Sequence, residues 1–522
     1  MVNNLILIEG FKDVELLKND LDNLDTKIIS FDFEADKLLE KMGINHSVVE
    51  EYFTKEDELE MDSKAVTLTT EWYLHSKIKN KLEYEQMNLG SLLEIELIGY
   101  FFEYIKRMLG VLRVVEKELP KVIISSFLSE CIESICKGGE IKIIKYKSEK
   151  KIDLFFDSVE IPIKFRGKIF TIKLSRKKFL QLKNKLSKVV NFLYKIKPNL
   201  NEIKNEKVIL LLDFNPIGYK ELLKELSKSE YKILLLNQRR PAIWNFASLQ
   251  IIKNSKCKVL ELNDFSNEKI VSKIEKQKQE LENNLKKLWK EDIFSEIFSI
   301  RSYSFWNVIK NDFSTMLSKR FVESIERFHL TNQLFDQLNI HSILEWAHVG
   351  MEDKIIISNS NKRKIPNMFL QHGLILQNSE IDKYNPILSI FPSNGSKHAV
   401  WGEIVEKFLL DHNVNKNEIV KIGSPRHDKF FKKTKTKNCE KILIATNGFF
   451  ATNSGGTNSK NFKKMEYGLR KIFEVLKNST KKEIIVKLHP GIAQKSFDIK
   501  KIIQDIDSNI KIFQNENILD LL

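Results

Sequence analysis

KVILLLDFN, residues 207–215, sets five consecutive branched aliphatic residues between a lysine and an Asp-Phe-Asn turn. YKILLLN (231–237) repeats the pattern, and KCKVLEL (256–262) follows it. Short unbroken apolar runs bounded by polar residues read as strands covered on both faces, which is the habit of parallel sheets. The stretch between the first two is amphipathic, so the unit is strand, helix, strand. A long helical region rich in Phe and Trp is expected over about 267–338. After it come four more strands: SILEWA (342–347), NMFLQHG (367–373), KHAVWG (397–402) and IVKIG (419–423). Seven strands in this rhythm predict a Rossmann-like unit over 201–432.

Working outward, residues 1–200 read as a further α/β section of unknown role. Its strands are LILI (5–8), KIISF (27–31), KVIIS (121–125) and IKIIKY (141–146), with a long helix expected from Trp72 to Glu118. KIDLFF (151–156) and IPIKFRGKIFTIKL (161–174) alternate as a hairpin does, and a lysine-rich helix is expected from Arg176 to Lys195. KIKPNLNEIKNEK (195–207) carries Pro, Asn and charge without periodicity, and marks the boundary. Residues 433–522 hold KILIA (441–445), EIIVKLHP (483–490) and IKIF (510–513), with helices near 460–476 and 496–506. The fold class expected is therefore α/β: two Rossmann-like lobes and an additional N-terminal section. With three strands, the last lobe leaves one sheet edge open and is expected to be incomplete.

Apolar residues make up 42% and charged residues 30% of the chain, a globular balance that excludes a disordered tail as its main character. Net charge is +15, which favours anionic partners in general. The lysines are scattered among Glu and Ile, as a solvated surface scatters them, and no RGG run, zinc-finger spacing or basic zipper points to nucleic acid. None of the four cysteines forms a CxxC pair. Cys131 and Cys136 fall in the apolar run SFLSECIESICKGG and are expected to be buried thiols, which suits a reducing cytoplasm. The apolar run in MVNNLILIEGF is too short for a signal peptide. LGSLLEIELIGYFFEYI (89–105) carries three Glu and reads as a partly buried helix, so any membrane contact is expected to be peripheral.

Strand ends carry the candidate chemistry. Gln371-His372-Gly373 follows the strand NMFL, where doubly wound sheets bind ligands. An imidazole there titrates near neutrality and suits a base that takes a proton from a hydroxyl; a strand-capping histidine is the plainer reading. Gly423-Ser424-Pro425-Arg426-His427-Asp428 follows IVKI. Arg426 there suits a phosphate, or a turn-fixing pair with Asp428. Lys487-Leu488-His489-Pro490 closes another strand, and residues 487 and 489 share one face of an extended segment, as a diphosphate site would want. Thr446-Asn447-Gly448 opens a loop before a helix, where backbone amides suit a phosphate. Arg239, Arg240 and Trp244 follow a strand as well, with a solvated surface as the plainer reading. No HExxH, DxD or paired Cys/His spacing supports a metal, and no GxSxG supports a hydrolase triad. No cofactor is expected.

FLQHG (369–373), VWG (400–402), KIGSPRHD (421–428), KILIATNG (441–448), IIVKLHP (484–490) and ENILDLL (516–522), in that order, resemble the CDP-glycerol glycerophosphotransferase-like group of GT-B transferases, with related capsule and surface-polysaccharide enzymes. SFWNVIKNDF (304–313) and SILEWA fit the pattern more loosely, and residues 1–200 lie outside it. The resemblance implies that His372 is the catalytic base and that Lys487 and His489 hold donor phosphates. It also implies that Arg426 and Asp428 form the turn between the lobes. Teichoic-acid members usually carry Trp-His-Gly-Thr; Gln-His-Gly-Leu here is closer to capsule-type relatives. In the family, a phrase like NILDLL is followed by an Asp-rich strand and a Ser/Thr-rich loop that complete the donor site. The chain is therefore expected to stop inside its donor-binding lobe and to be inactive as a transferase.

The leading expectation is a transferase that moves a sugar or polyol phosphate from a nucleotide-activated donor to a polysaccharide or lipid-linked acceptor. It would work in the cytoplasm or at the inner face of the membrane. A nucleotide-sugar 2-epimerase and a non-catalytic protein that binds anionic polymers are the alternatives.

Overall fold

Runs of Val, Ile and Leu too short for helices become three parallel sheets, as their unbroken apolar character requires. The computed structural model describes residues 3–17, 25–127, 129–136, 141–146, 154, 156–165, 168–373, 375, 387, 395–428, 440–446, 459–488, 496–514, 516 and 518–521. The first sheet contains β1 (Asn4–Ile8), β2 (Thr26–Ser30), β3 (Ser47–Val48), β4 (Val122–Ser125) and β5 (Lys142–Lys145), in the order β3-β2-β1-β4-β5. An antiparallel hairpin, β6 (Ser158–Phe165) and β7 (Lys168–Ser175), follows and breaks the α/β rhythm; both of its strands lie beyond KIDLFF, whose described residues, Leu154 and Phe156, are in no strand.

The second sheet contains all seven expected strands: β8 (Val208–Leu212), β9 (Lys232–Leu236), β10 (Lys258–Leu260), β11 (Ile340–Glu345), β12 (Asn367–Leu370), β13 (Ser396–Val400) and β14 (Ile419–Lys421). Their order is β10-β9-β8-β11-β12-β13-β14, every neighbouring pair parallel. Both sheets run outward from their first strand in one direction and return to its other side, the doubly wound order of Rossmann-type folds. The third sheet has β15 (Lys441–Ala445), β16 (Glu483–Lys487) and β17 (Lys511–Phe513) in sequential parallel order. Helices 459–479 and 496–506 share one apolar core with Ile484 and Val486 of β16 and with Leu488 just past it, so both cover the same face. The α/β class expected from the sequence is the class observed.

One expectation needs correction. The stretch expected to be helical from Trp72 to Glu118 is one long helix only over α2 (Glu94–Glu118); 3-10 turns, the short helix Ser76–Lys79 and a hairpin of two-residue strands fill its first part, and a separate helix, α1 (Lys55–Glu71), ends just before it. Glu85 and Gln86 adopt positive φ in that hairpin. The Asn88 side chain accepts from the Gly90 amide at 2.9 Å. A Cβ on Gly90 would stand 2.4 Å from the Tyr73 side chain, so the backbone must approach that ring as only glycine allows.

The aromatic residues scattered through both long helical regions converge on one core. Trp72, Tyr100 and Phe101 from the first section meet Trp289, Phe298, Trp306 and Phe313 from the second. Phe313 lies on α3 (Trp306–Gln337), fully buried. Its ring centroid is 5.1 Å from Phe298, 5.6 Å from Trp72 and 5.8 Å from both Tyr100 and Phe101. These separations suit edge-on and offset ring packing. Ion pairs run across the same seam: Arg320 to Glu96 at 3.0 Å, Lys354 to Glu94 at 2.7 Å and Arg301 to Asp57 at 2.6 Å. Phe313→Ala is expected to lower the unfolding free energy by about 3–5 kcal/mol, read from urea titrations, because the rings around the void come from two sheets' helices and have little freedom to collapse together. A loss below about 1 kcal/mol would show that the seam does not carry stability.

A crevice at the carboxyl ends of the seven-stranded sheet

Strand order reverses between β8 and β11, so their carboxyl ends diverge and leave a crevice. Asp213 follows β8 at φ 55°, a left-handed conformation that Asp tolerates better than most residues. Its carbonyl oxygen accepts from the indole N–H of Trp346, just past β11, at 2.7 Å. Its carboxylate accepts from the Arg239 amide at 3.1 Å and pairs with the Arg239 guanidinium at 3.5 Å. Arg239 Nη2 lies 3.1 Å from Asp353 as well. Of the two arginines singled out in the sequence, Arg239 therefore turns inward, and Arg240 remains exposed. Burial pushes the Asp353 carboxyl above the usual carboxylate range; Arg239 opposes this, and Asp213, Glu352 and Glu345 add to it. Glu345 is fully buried, with Oε2 at 3.1 Å from His348 Nδ1.

His372 stands beside this floor, exposed as a residue, its ring edge-on to Trp346 at 5.5 Å. The residues around it explain why. Gln371 is buried and accepts from Trp401 twice: side-chain Oε1 from the backbone N–H at 2.8 Å, and its own carbonyl oxygen from the indole N–H at 2.9 Å. Its amide nitrogen donates to the Gly373 carbonyl at 2.8 Å, closing the turn that carries His372. A glutamine, with donor and acceptor on one amide, meets both demands. The Trp401 ring packs edge-on against His427 at 5.0 Å, and Ser424 Oγ lies 2.7 Å from His427 Nδ1. Gly423 turns the chain at φ 75°. Arg426 then reaches back to donate to the His372 carbonyl oxygen at 3.1 Å, its guanidinium 5.8 Å from the centre of the Tyr219 ring. Among the described residues no ion pair joins Arg426 to Asp428.

Three sequence motifs thus meet at one edge. Loss of hydration in the crevice, then the charges of Arg426 and Arg239, hold the His372 imidazole below its ordinary value of 6.5; a backbone bond at Trp346 works the other way. A lowered value favours the neutral ring, the form a base needs. Next to it His398 is fully buried against Phe369, its pKa depressed to about 4 by burial and by His372.

Lys487 and Thr446 come together elsewhere, at adjacent ends of β15 and β16, where the Thr446 amide donates to the Lys487 carbonyl at 3.0 Å. The Lys487 ammonium is buried and donates to the carbonyl oxygens of Leu488 at 2.8 Å and Gln514 at 2.7 Å. Burial lowers its pKa, with Glu516 opposing. His489, Asn447 and Gly448 lie outside the described residues. This third unit touches the first through helix Phe33–Met42: Phe462 packs on Phe33 at 4.4 Å, and Lys463 pairs with Glu40 at 2.9 Å. Among the described residues no group of three or more His, Cys, Asp or Glu could hold a metal ion, and no helix is long and apolar enough to cross a membrane.

The sequence singled out His372 and Arg426, which the fold brings into contact, and did not single out Asp213, Trp346, Tyr219 or the contact of Gln371 with Trp401 beside them. Asp213 and Trp346 each follow an apolar run directly, so the strand-end rule that found His372 would have reached them.

No family model matches the chain and no curated protein sequence matches it. Among solved structures, UDP-GlcNAc 2-epimerase from Neisseria meningitidis bound to UDP-GlcNAc is similar over 60% of this chain and 72% of its own, at 16% identity and a TM-score of 0.32. UDP-N-acetylglucosamine 2-epimerase from Rickettsia bellii matches 60% of this chain and 71% of its own, at 13% identity and a TM-score of 0.32. A UDP-glucosyltransferase from Polygonum tinctorium matches 78% of this chain and 71% of its own, at 9% identity and a TM-score of 0.18.

Removing the Arg426 charge with Arg426→Ala is expected to raise the His372 pKa toward 6.5, because a nearby cation disfavours imidazolium. The ring-proton NMR signal of His372 followed against pH checks this. A midpoint that stays put would show that Arg426 does not act on the ring.

Proposed function

We propose that the chain belongs to a nucleotide-sugar-dependent transferase of GT-B type that moves a sugar or polyol phosphate onto a hydroxyl of a surface polysaccharide or lipid-linked acceptor. One observation supports this most: the three separate motifs around His372, Trp401 and Arg426 lock together at the switch point of a seven-stranded parallel sheet. On this reading the crevice receives the acceptor. His372, neutral and open to solvent, accepts the hydroxyl proton as the oxygen attacks the donor. The donor phosphates belong to the third unit, at Thr446 and Lys487, with Asn447, Gly448 and His489 next to them in the sequence and Arg426 with Asp428 in the turn that leads toward it. Among the described residues two of the three Lys487 donors hold carbonyl oxygens, and on this reading the third meets a phosphate oxygen. Positive charge there stabilises the leaving nucleotide without a metal.

The test is nucleotide release from UDP- and CDP-activated sugars and polyols, followed by anion-exchange chromatography with and without a polysaccharide acceptor. Acceptor-dependent release is expected from the complete enzyme. His372→Ala should slow it by about 10²–10⁴-fold while calorimetric nucleotide binding stays the same. Normal turnover by the variant would remove His372 from the chemistry. Interconversion of the free nucleotide sugar, with no need for acceptor, would place the crevice in an epimerase.

A further inference from the structure

The helix α4 (Arg176–Tyr194) lies on the surface and carries charge of one sign only. Its sequence, RKKFLQLKNKLSKVVNFLY, has no acidic residue. One side is anchored. Arg176 pairs with Glu323 at 3.1 Å and Glu352 at 3.0 Å, Lys183 is buried and donates to the carbonyl oxygens of Asn237 and Gln238, and Val190 packs on the core under β8 and β9.

A flank roughly a third of a turn around the helix from these anchors faces solvent and is apolar. Leu182, Leu186, Val189 and Leu193 fall at i, i+4, i+7 and i+11, one stripe of a helix, and all four are exposed. Phe192 beside them is 83% exposed and Leu193 61% exposed. Lys177, Lys178, Lys185, Lys188 and Lys195 run along the stripe, all exposed. None of these five ammoniums enters an ion pair among the described residues.

We infer that α4 is a docking helix for an anionic lipid surface, with the leucine, valine and phenylalanine stripe entering the acyl boundary and the lysines meeting lipid phosphates. Charge decides the occupant. Apolar side chains in this number leave water readily, but the cationic flank demands a negative partner at the same depth. A second copy of the chain docked on the same face would set five lysines against five, which like-charge repulsion opposes. The anchors on the inner side keep the stripe turned outward, so no part of the core must open for the helix to reach a bilayer. At about 1.5 Å per residue the helix lies some 28 Å along the surface.

Flotation of the full chain with phosphatidylglycerol vesicles, and in parallel with phosphatidylcholine vesicles, tests the inference. Floating with the anionic vesicles and not with the neutral ones is expected. Val189→Asp with Leu193→Asp should abolish it while the thermal melt of the chain is unchanged, since both side chains are exposed. Lys185→Gln with Lys188→Gln, which leaves the apolar stripe intact, should weaken vesicle binding by about tenfold or more. The inference is overturned if the chain stays unbound with anionic vesicles, if both double variants float as the parent does, or if the apolar variant instead converts a dimer to a monomer in sedimentation.

Discussion

Strand 208–212 pairs in parallel with strand 340–345, and the functional geometry depends on that contact. The two strands lie far apart in sequence, and the chain departs from one to build a side of the sheet before it returns to the other. Because every strand points the same way, each carboxyl end delivers its loop to one edge. Because the order reverses at this pair, the loops on either side lean apart there. Asp213 and Trp346 stand at the two lips and are joined by a hydrogen bond of 2.7 Å. His372, one strand further on, packs against that same indole. Moving β11 out of register would displace the indole and the histidine together.

Around this sheet, buried charge fixes orientation where apolar packing alone would allow sliding. The aromatic seam between the first and second sections is large but adaptable, since rings of similar size can interchange. Arg320 against Glu96 and Arg176 against Glu323 and Glu352 are not interchangeable, because one partner left alone in the interior would carry a large desolvation penalty. The pairs therefore act more on which arrangement forms than on how stable it is. Arg176 opens the cationic helix and holds it to Glu352, the neighbour of Asp353 at the crevice floor.

Much of the architecture was legible in the sequence, and the reason is physical. Strands covered on both faces must be apolar throughout, so KVILLL, YKILLL and NMFL announce themselves without any partner being known. The break between Trp72 and Glu94 was not legible, because its cause is a close approach between Gly90 and the ring of Tyr73 rather than a local breaker. At the site, His372 and Arg426 were legible as reactive types at strand ends. Their mutual contact was not, since it depends on the turn at Gly423 and on Tyr219 from another strand's loop. The burial of Lys487 on two carbonyls, and the inward turn of Arg239, likewise depend on neighbours that only the folded chain supplies.

Substrate recognition at the carboxyl edge of the seven-stranded sheet is most directly tested by hydrogen exchange of the full chain, with and without saturating nucleotide-activated sugar and acceptor. The predicted result is slowed exchange at residues 213–219, 346–350, 371–373 and 424–428, the segments that line the crevice. Saturation with unchanged exchange in all four segments, and protection only on other surfaces, would contradict it.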